Sequence, residues 1–209
     1  YARGLGYSYP ERLQAMLNNH PELGSFQVIN RGIRGYRADE VLREAKNEGW
    51  LAQDNPDFVL LMVGINDLIQ GESIPDTRAE VQQIINLVVS HTNPGGGRPK
   101  ILVSAMIPNR RSSWCHTSCV KLYNNNMAAN LTGMDSFFWD IWDEFYDPSI
   151  NKAKAELMYD ELHPNATGYL RMAGRWYKEL KSFLPRLRLA KSLMQPQGDE
   201  AVVGDTVRF

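Results

Sequence analysis

Two uninterrupted apolar runs constrain the fold more than anything else in the chain. Asp57-Phe58-Val59-Leu60-Leu61-Met62-Val63 sits between Pro56 and Gly64, and Ile101-Leu102-Val103-Ser104-Ala105-Met106 follows some forty residues later. A strand with one wet face alternates apolar and polar residues. A run that is apolar in both phases needs cover on both faces, as in a parallel sheet flanked by helices. Between the two runs, Val81, Ile84, Ile85, Val88 and Val89 keep helical spacing, and Asn93-Pro94-Gly95-Gly96-Gly97 ends that helix. The alternation continues on either side. Ser8 is a candidate N-cap for a helix from Tyr9 with Leu13, Met16 and Leu17 on one face, and Phe26 to Asn30 reads as a short strand. A helix from about Ala38 turns Val41, Leu42 and Ala45 inward, and another covers Val120 to Leu131 after a polar loop from Pro108 to Ser118. Phe137-Phe138-Trp139-Asp140-Ile141-Trp142 is expected as a fourth strand, and Tyr169, Met172, Ala173, Trp176 and Leu180 mark a final amphipathic helix. The pattern predicts a doubly wound α/β fold of flavodoxin type, whose ligands bind beyond the carboxyl ends of the strands.

Length and composition narrow the functional classes. A chain of 209 residues, 43% apolar and 22% charged, fits one globular domain with a full core. A net charge of -1 without long runs of one sign gives no basic groove for nucleic acid and no patch for an anionic membrane surface. No apolar run approaches the roughly 20 residues of a membrane span. No signal peptide is visible, but the sequence begins at Tyr1 without Met, which favours a trimmed secreted or periplasmic form over a cytoplasmic one. Composition shifts near Pro185, so residues 1–184 are expected to form the domain and 185–209 a tail. Cys115 and Cys119 read as free thiols or a small loop disulfide. They offer too few ligands for a metal, and no cofactor is expected.

Three short stretches fall at or after carboxyl strand ends. In Asp160-Glu161-Leu162-His163-Pro164 the acid can accept from one ring nitrogen, fix the tautomer and leave the other nitrogen to take a proton from a nucleophile. Pro164 suits the first turn of the following helix. The plainer alternative is a turn capped by Asp160. Gly64-Ile65-Asn66-Asp67 ends a buried strand with a side-chain amide able to donate to an oxyanion, or simply with a cap for the next element. In Asn30-Arg31-Gly32-Ile33-Arg34-Gly35 the glycines are either turn positions needing positive φ or, at Gly35, an N–H open to the same oxyanion.

These three stretches, in this order, resemble the second, third and fifth sequence blocks of the SGNH hydrolases, the GDSL esterase/lipase family. The resemblance runs from Tyr9 to about Leu184. It implies a three-layer α/β/α sandwich and ester hydrolysis through an acyl-enzyme. Gly35 and Asn66 would be oxyanion donors, His163 the general base and Asp160 its orienting acid. The family's first block, a Gly-Asp-Ser nucleophile on the first strand, is not found in residues 1 to 8, where Ser8 precedes a helix and reads as a cap. Glu200-Ala201-Val202-Val203-Gly204-Asp205-Thr206-Val207 reads as a strand carrying Gly-Asp-Thr. With Phe209 joined to Tyr1, Thr206 would stand roughly a dozen positions before Tyr9, a spacing that fits a circular permutation with Thr206 as nucleophile. The rival expectation makes this stretch the edge of another domain and puts the true serine upstream of Tyr1. Threonine is the poorer nucleophile, because its methyl group crowds the attacking oxygen.

The resulting expectation is an ester hydrolase acting on a small-molecule or carbohydrate ester without metal or cofactor. One alternative is a weak or inactive carbohydrate- or acyl-binding domain, with Trp114, Trp139 and Trp142 as stacking surfaces. Another is an O-acyltransferase using the same site. A flavin-binding redox domain is a distant fourth, since the Asn30 to Gly35 turn does not suit a phosphate.

Overall fold

The computed structural model describes residues 8–112, 114–194 and 206–208. In chain order the main elements are α1 (Tyr9–Asn18), β1 (Ser25–Gln27), α2 (Ala38–Asn47), α3 (Trp50–Asp54), β2 (Phe58–Leu61) and α4 (Ile65–Ile69). They continue as α5 (Ile74–Ser90), β3 (Lys100–Ser104), α6 (Thr117–Asn130), β4 (Ser136–Phe138) and α7 (Asp140–Phe145). The hairpin strands β5 (Tyr146–Asp147) and β6 (Lys152–Ala153), the long helix α8 (Ala166–Met194) and β7 (Thr206–Arg208) complete the order.

Strands β2, β3 and β4 pair in that order, all parallel. Their doubly apolar composition is explained by two separate cores. In β3, Ile101 and Val103 enter one core with Ala38 and Leu42 of α2, Val81, Ile84 and Ile85 of α5 and Val120 of α6. Leu102, between them, enters the other core with Leu13 and Leu17 of α1 and Met172, Trp176 and Leu180 of α8. Successive strand residues point to opposite faces, so one apolar run feeds both helical layers of an α/β/α sandwich.

Several local choices fix the edges of this frame. Ser8 opens α1 in a capping box with Glu11, whose Oε2 accepts from the Ser8 amide at 3.0 Å and from its hydroxyl at 2.6 Å. β1 is shorter than the expected Phe26 to Asn30. Past Phe26 the Gln14 side chain takes over, donating to the Phe26 carbonyl at 2.9 Å and accepting from the Val28 amide at 2.6 Å. The buried Asn124 of α6 does the same beyond β3, accepting from the Met106 amide at 2.8 Å and donating to its carbonyl at 2.9 Å.

One expectation is corrected. The apolar run after Ser136 stays extended only to Phe138, and Asp140–Phe145 is helical. Helical winding places Ile141 and Phe145 one turn apart and sends both into the core with α1 and α8, while Trp142 enters the other core. The final helix, expected from Tyr169, Met172, Ala173, Trp176 and Leu180, runs on through Pro185 to Met194. Proline's fixed φ is compatible with helix geometry, but inside a helix it removes one backbone hydrogen bond and crowds the carbonyl four residues earlier.

The C-terminal strand pairs parallel with β1, with Ser25 opposite Thr206, Phe26 opposite Val207 and Gln27 opposite Arg208. The remainder of the strand expected there, Glu200 to Asp205, lies outside the described residues, as do residues 1–7. No helix among the described residues is long and apolar enough to cross a membrane.

Candidate active site

A cavity of about 670 Å³ opens where the chain leaves β1 and β2 at their carboxyl ends. Gly35, Asn66 and His163 all line it, although they come from three distant parts of the sequence.

The His163 side is built locally. Asp160 Oδ1 accepts from the amides of Leu162 and His163, both at 2.7 Å, closing a tight Asx-type turn. The same carboxylate receives His163 Nδ1 at 2.8 Å through Oδ2 and 3.1 Å through Oδ1. An ionised carboxylate only accepts, so Nδ1 carries the proton and Nε2 is the basic nitrogen. Burial pushes the Asp160 carboxyl up, but the two backbone amides and the imidazole together hold it below its ordinary value. The turn is clamped at its base, where the Tyr159 amide donates to the His163 carbonyl at 2.8 Å. It is also held from outside by the Arg110 amide, which donates to the Glu161 carbonyl at 2.8 Å. Pro164 precedes the helix rather than lying in its first turn. Asn165 is the capping residue, and its Oδ1 accepts from the Gly168 amide at 3.0 Å.

The opposite side depends on contacts between distant residues. Gly64 closes β2 with φ 119, a region that side chains rarely adopt. A Cβ there would come within 2.2 Å of the Tyr123 hydroxyl, which donates to the Val63 carbonyl at 2.7 Å. Burial keeps that phenol protonated far beyond the usual range. The turn presents Asn66, whose Nδ2 donates to the Tyr36 carbonyl at 2.8 Å. An amide carries two N–H donors, so the second remains for a ligand in the cavity. Gly35 lines the same cavity with φ 81, and its N–H has no hydrogen-bond acceptor among the described residues. Asp67 is fully buried, and its Oδ1 accepts from the Ala38 amide at 2.8 Å, tying this turn to the first residue of α2.

In the parallel β1–β7 pair Thr206 stands opposite Ser25, the first residue of β1. The residues lining the cavity from the β1 side begin at Val28, three positions downstream. Ser8 is the one aliphatic hydroxyl among the described lining residues, and it is occupied by Glu11. Of the three tryptophans considered as stacking surfaces, Trp142 is buried and Trp139 packs against it edge-on. Trp114 is 67% exposed, with its indole N–H donating to the Leu68 carbonyl at 2.9 Å. Cys115 and Cys119 are free, with sulfurs 3.1 Å apart, and burial followed by Cys119 pushes the Cys115 thiol up to about 12.

Sequence reasoning missed Asn109 and Tyr36. Asn109, in a loop expected to be simply polar, is buried at the cavity wall and donates to the Cys115 carbonyl at 2.8 Å. Tyr36 contributes its carbonyl, which no side-chain pattern advertises.

The sequence model of the GDSL-like Lipase/Acylhydrolase family matches residues 1–171. The chain belongs to that family. An acetylxylan esterase from Geobacillus stearothermophilus is 24% identical over 196 residues, covering 84% of this chain and 82% of that protein. Among solved structures, an acetyl xylan esterase superposes with TM-score 0.67 at 19% identity, covering 85% of this chain and 93% of the other. A carbohydrate acetylesterase from Sinorhizobium meliloti superposes with TM-score 0.67 at 15% identity, covering 85% and 86%. An esterase from Pseudoalteromonas sp. gives 0.63 at 15%, covering 87% and 90%. The expected GDSL/SGNH membership and α/β fold therefore hold for this chain.

Proposed function

We propose that this GDSL-family chain hydrolyses small carboxylic esters, with acetyl groups on a carbohydrate as the substrate class. The observation that carries the reading is the meeting of the Asp160–His163 pair, the Asn66 amide and Gly35 around one cavity. The acetylxylan esterase at 24% identity supports the choice of acyl group and alcohol.

In this reading His163 Nε2 removes the proton from a hydroxyl presented in the cavity as its oxygen attacks the ester carbonyl. Asp160 holds the imidazolium that results. The tetrahedral oxyanion accepts from Gly35 N–H and from the second N–H of Asn66. His163 then returns the proton to the departing sugar oxygen, leaving an acyl-enzyme. A water deprotonated by the same nitrogen releases acetate. The register argues against Thr206 as the nucleophile, so no hydroxyl is assigned here.

The test is hydrolysis of an aryl acetate and an acetylated xylo-oligosaccharide by the parent and by His163→Ala. Turnover in the parent that collapses in the variant supports the reading. Equal rates in both would overturn it. A fluorophosphonate probe followed by peptide mapping names the hydroxyl. Silence toward the probe in a folded protein, with retained binding of the oligosaccharide, would instead favour the non-catalytic binder, for which the exposed Trp114 offers a stacking face.

A further inference from the structure

Next to the Asn66 turn, and not among the residues that line the cavity, three carboxylates converge. One oxygen from each of Asp67, Glu72 and Glu80 lies within 4.8 Å of the other two. Acidic clusters are common on protein surfaces, but this one has a buried floor. Asp67 is 0% exposed, and only its Oδ1 is satisfied, by the Ala38 amide. Its Oδ2 is buried with no hydrogen-bond partner among the described residues. The buried Oε2 of Glu80 has none when both glutamates are ionised, although Glu80 lies within hydrogen-bonding reach of Glu72 once one of the two is protonated. Arg37 is close enough to act on Asp67. Its guanidinium, however, is already forked onto Asp39 at 2.7 and 3.0 Å. Three acids thus face one another around a buried, unsatisfied oxygen, with the partly exposed Glu72 as the way in from solvent.

Leaving two buried carboxylate oxygens unpaired is expensive unless something positive reaches them. An all-oxygen donor set suits a hard cation rather than zinc or copper. Oxygens up to 4.8 Å apart can share an ion whose bonds are about 2.4 Å long, the calcium range, more easily than magnesium, whose bonds are about 2.1 Å.

We propose that Asp67, Glu72 and Glu80 form a calcium-class divalent cation site that braces the oxyanion turn. The ion would sit on Asp67 Oδ2, while Oδ1 continues to hold the Ala38 amide. That amide begins α2 directly after the Gly35–Tyr36–Arg37 segment, whose Tyr36 carbonyl positions Asn66. A bound cation would therefore stiffen both oxyanion donors without touching substrate. The site does not depend on the hydrolase reading, because it is tested by binding and stability.

The experiment is isothermal titration of chelator-treated protein with Ca²⁺, Mg²⁺ and Mn²⁺, with thermal melts at each condition. The expected result is one Ca²⁺ per chain, bound at roughly millimolar strength or tighter, with a raised Tm. Glu72→Gln and Glu80→Gln should each weaken binding by about tenfold or more and abolish the calcium-dependent rise in Tm. Glu72 and Glu80 are both partly buried, so each variant's fold is checked by circular dichroism and either one that folds carries the test. No calcium binding by the folded parent, or binding unchanged in the variants that fold, would overturn the site. A Tm raised by Glu80→Gln but indifferent to calcium in parent and variant alike would also overturn it, in favour of a proton shared between Glu72 and Glu80.

Discussion

The two sides of the cavity are held in opposite ways. The Asp160–His163 turn closes on itself within four residues, and its side chains are 44% and 39% exposed. The Gly64–Asp67 turn is fixed from far along the chain, by Tyr36 through Asn66, by Ala38 through Asp67, and by Tyr123 through the Val63 carbonyl. A proton-transferring group can tolerate solvent and a little play, because its partner moves with it. Donors that must meet a developing charge gain from rigidity and dryness, and only tertiary packing supplies both. Function and stability should therefore separate on one side and be entangled on the other.

The largest effect is expected from His163→Ala. Its kcat on an aryl acetate should fall by about 10⁴-fold, while urea unfolding stays within about 0.5 kcal/mol of the parent. A large loss of stability would erase the contrast. Asn66→Ala should lower kcat by about 10²–10³ and also lose about 1 kcal/mol of stability, since the Tyr36 carbonyl loses its donor. Steady-state kinetics and urea titration on one preparation read both, and unchanged turnover would remove Asn66 from the oxyanion hole. Gly64→Ala carries no chemistry but should cost about 2–4 kcal/mol, from its positive φ and the contact with Tyr123. Adding Tyr123→Phe should restore only a fraction of the steric part, because ring carbons at 2.5 and 2.9 Å from the new Cβ remain. A double-mutant cycle with no coupling would show that the clash is not what excludes a side chain.

The smallest expected effect is in the pH dependence of stability, where the two sides differ in sign. Asp160 titrates below its ordinary value when folded, so its contribution is complete above the usual carboxylate range and disappears as pH falls through the lower folded value. Glu80 is raised from 4.5 to about 7, by burial first and then by Glu72, Asp39 and Asp67. Its contribution is present below 4.5 and lost as pH rises toward 7. Thermal melts in chelator should show Asp160→Asn flattening the acid limb and Glu80→Gln flattening the neutral one. Coincident profiles would mean that the buried carboxylates are not set apart as described.

The same contrast governs what could be read from the sequence. Asp160 and His163 are legible because their interaction lies within one turn. The strands β2 and β3 are legible because residues covered on both faces are apolar in both phases. Asn66 and Gly35 could be named as candidates, but nothing local shows that the Asn66 amide reaches Tyr36, thirty positions earlier. The plainer alternative makes Asn66 or Asp67 a cap for the next element. Asp67 serves Ala38 of α2, a role visible only when the two elements meet. The run from Phe137 to Trp142 misled because aromatic and β-branched residues favour strands, whereas packing of Ile141, Trp142 and Phe145 decided for a helix. Thr206 could be named from spacing alone, which gives a position along the chain without giving the register in which a strand pairs, here with Ser25 opposite.

The Gln14 amide that replaces a strand partner beyond Phe26 has a consequence for how copies of this protein meet one another. Sheet margins with free backbone donors and acceptors recruit foreign strands. By occupying both the Phe26 carbonyl and the Val28 amide, one side chain of α1 denies that foothold to a neighbour. Gln14→Ala should leave the monomer folded yet quicker to self-associate on concentration.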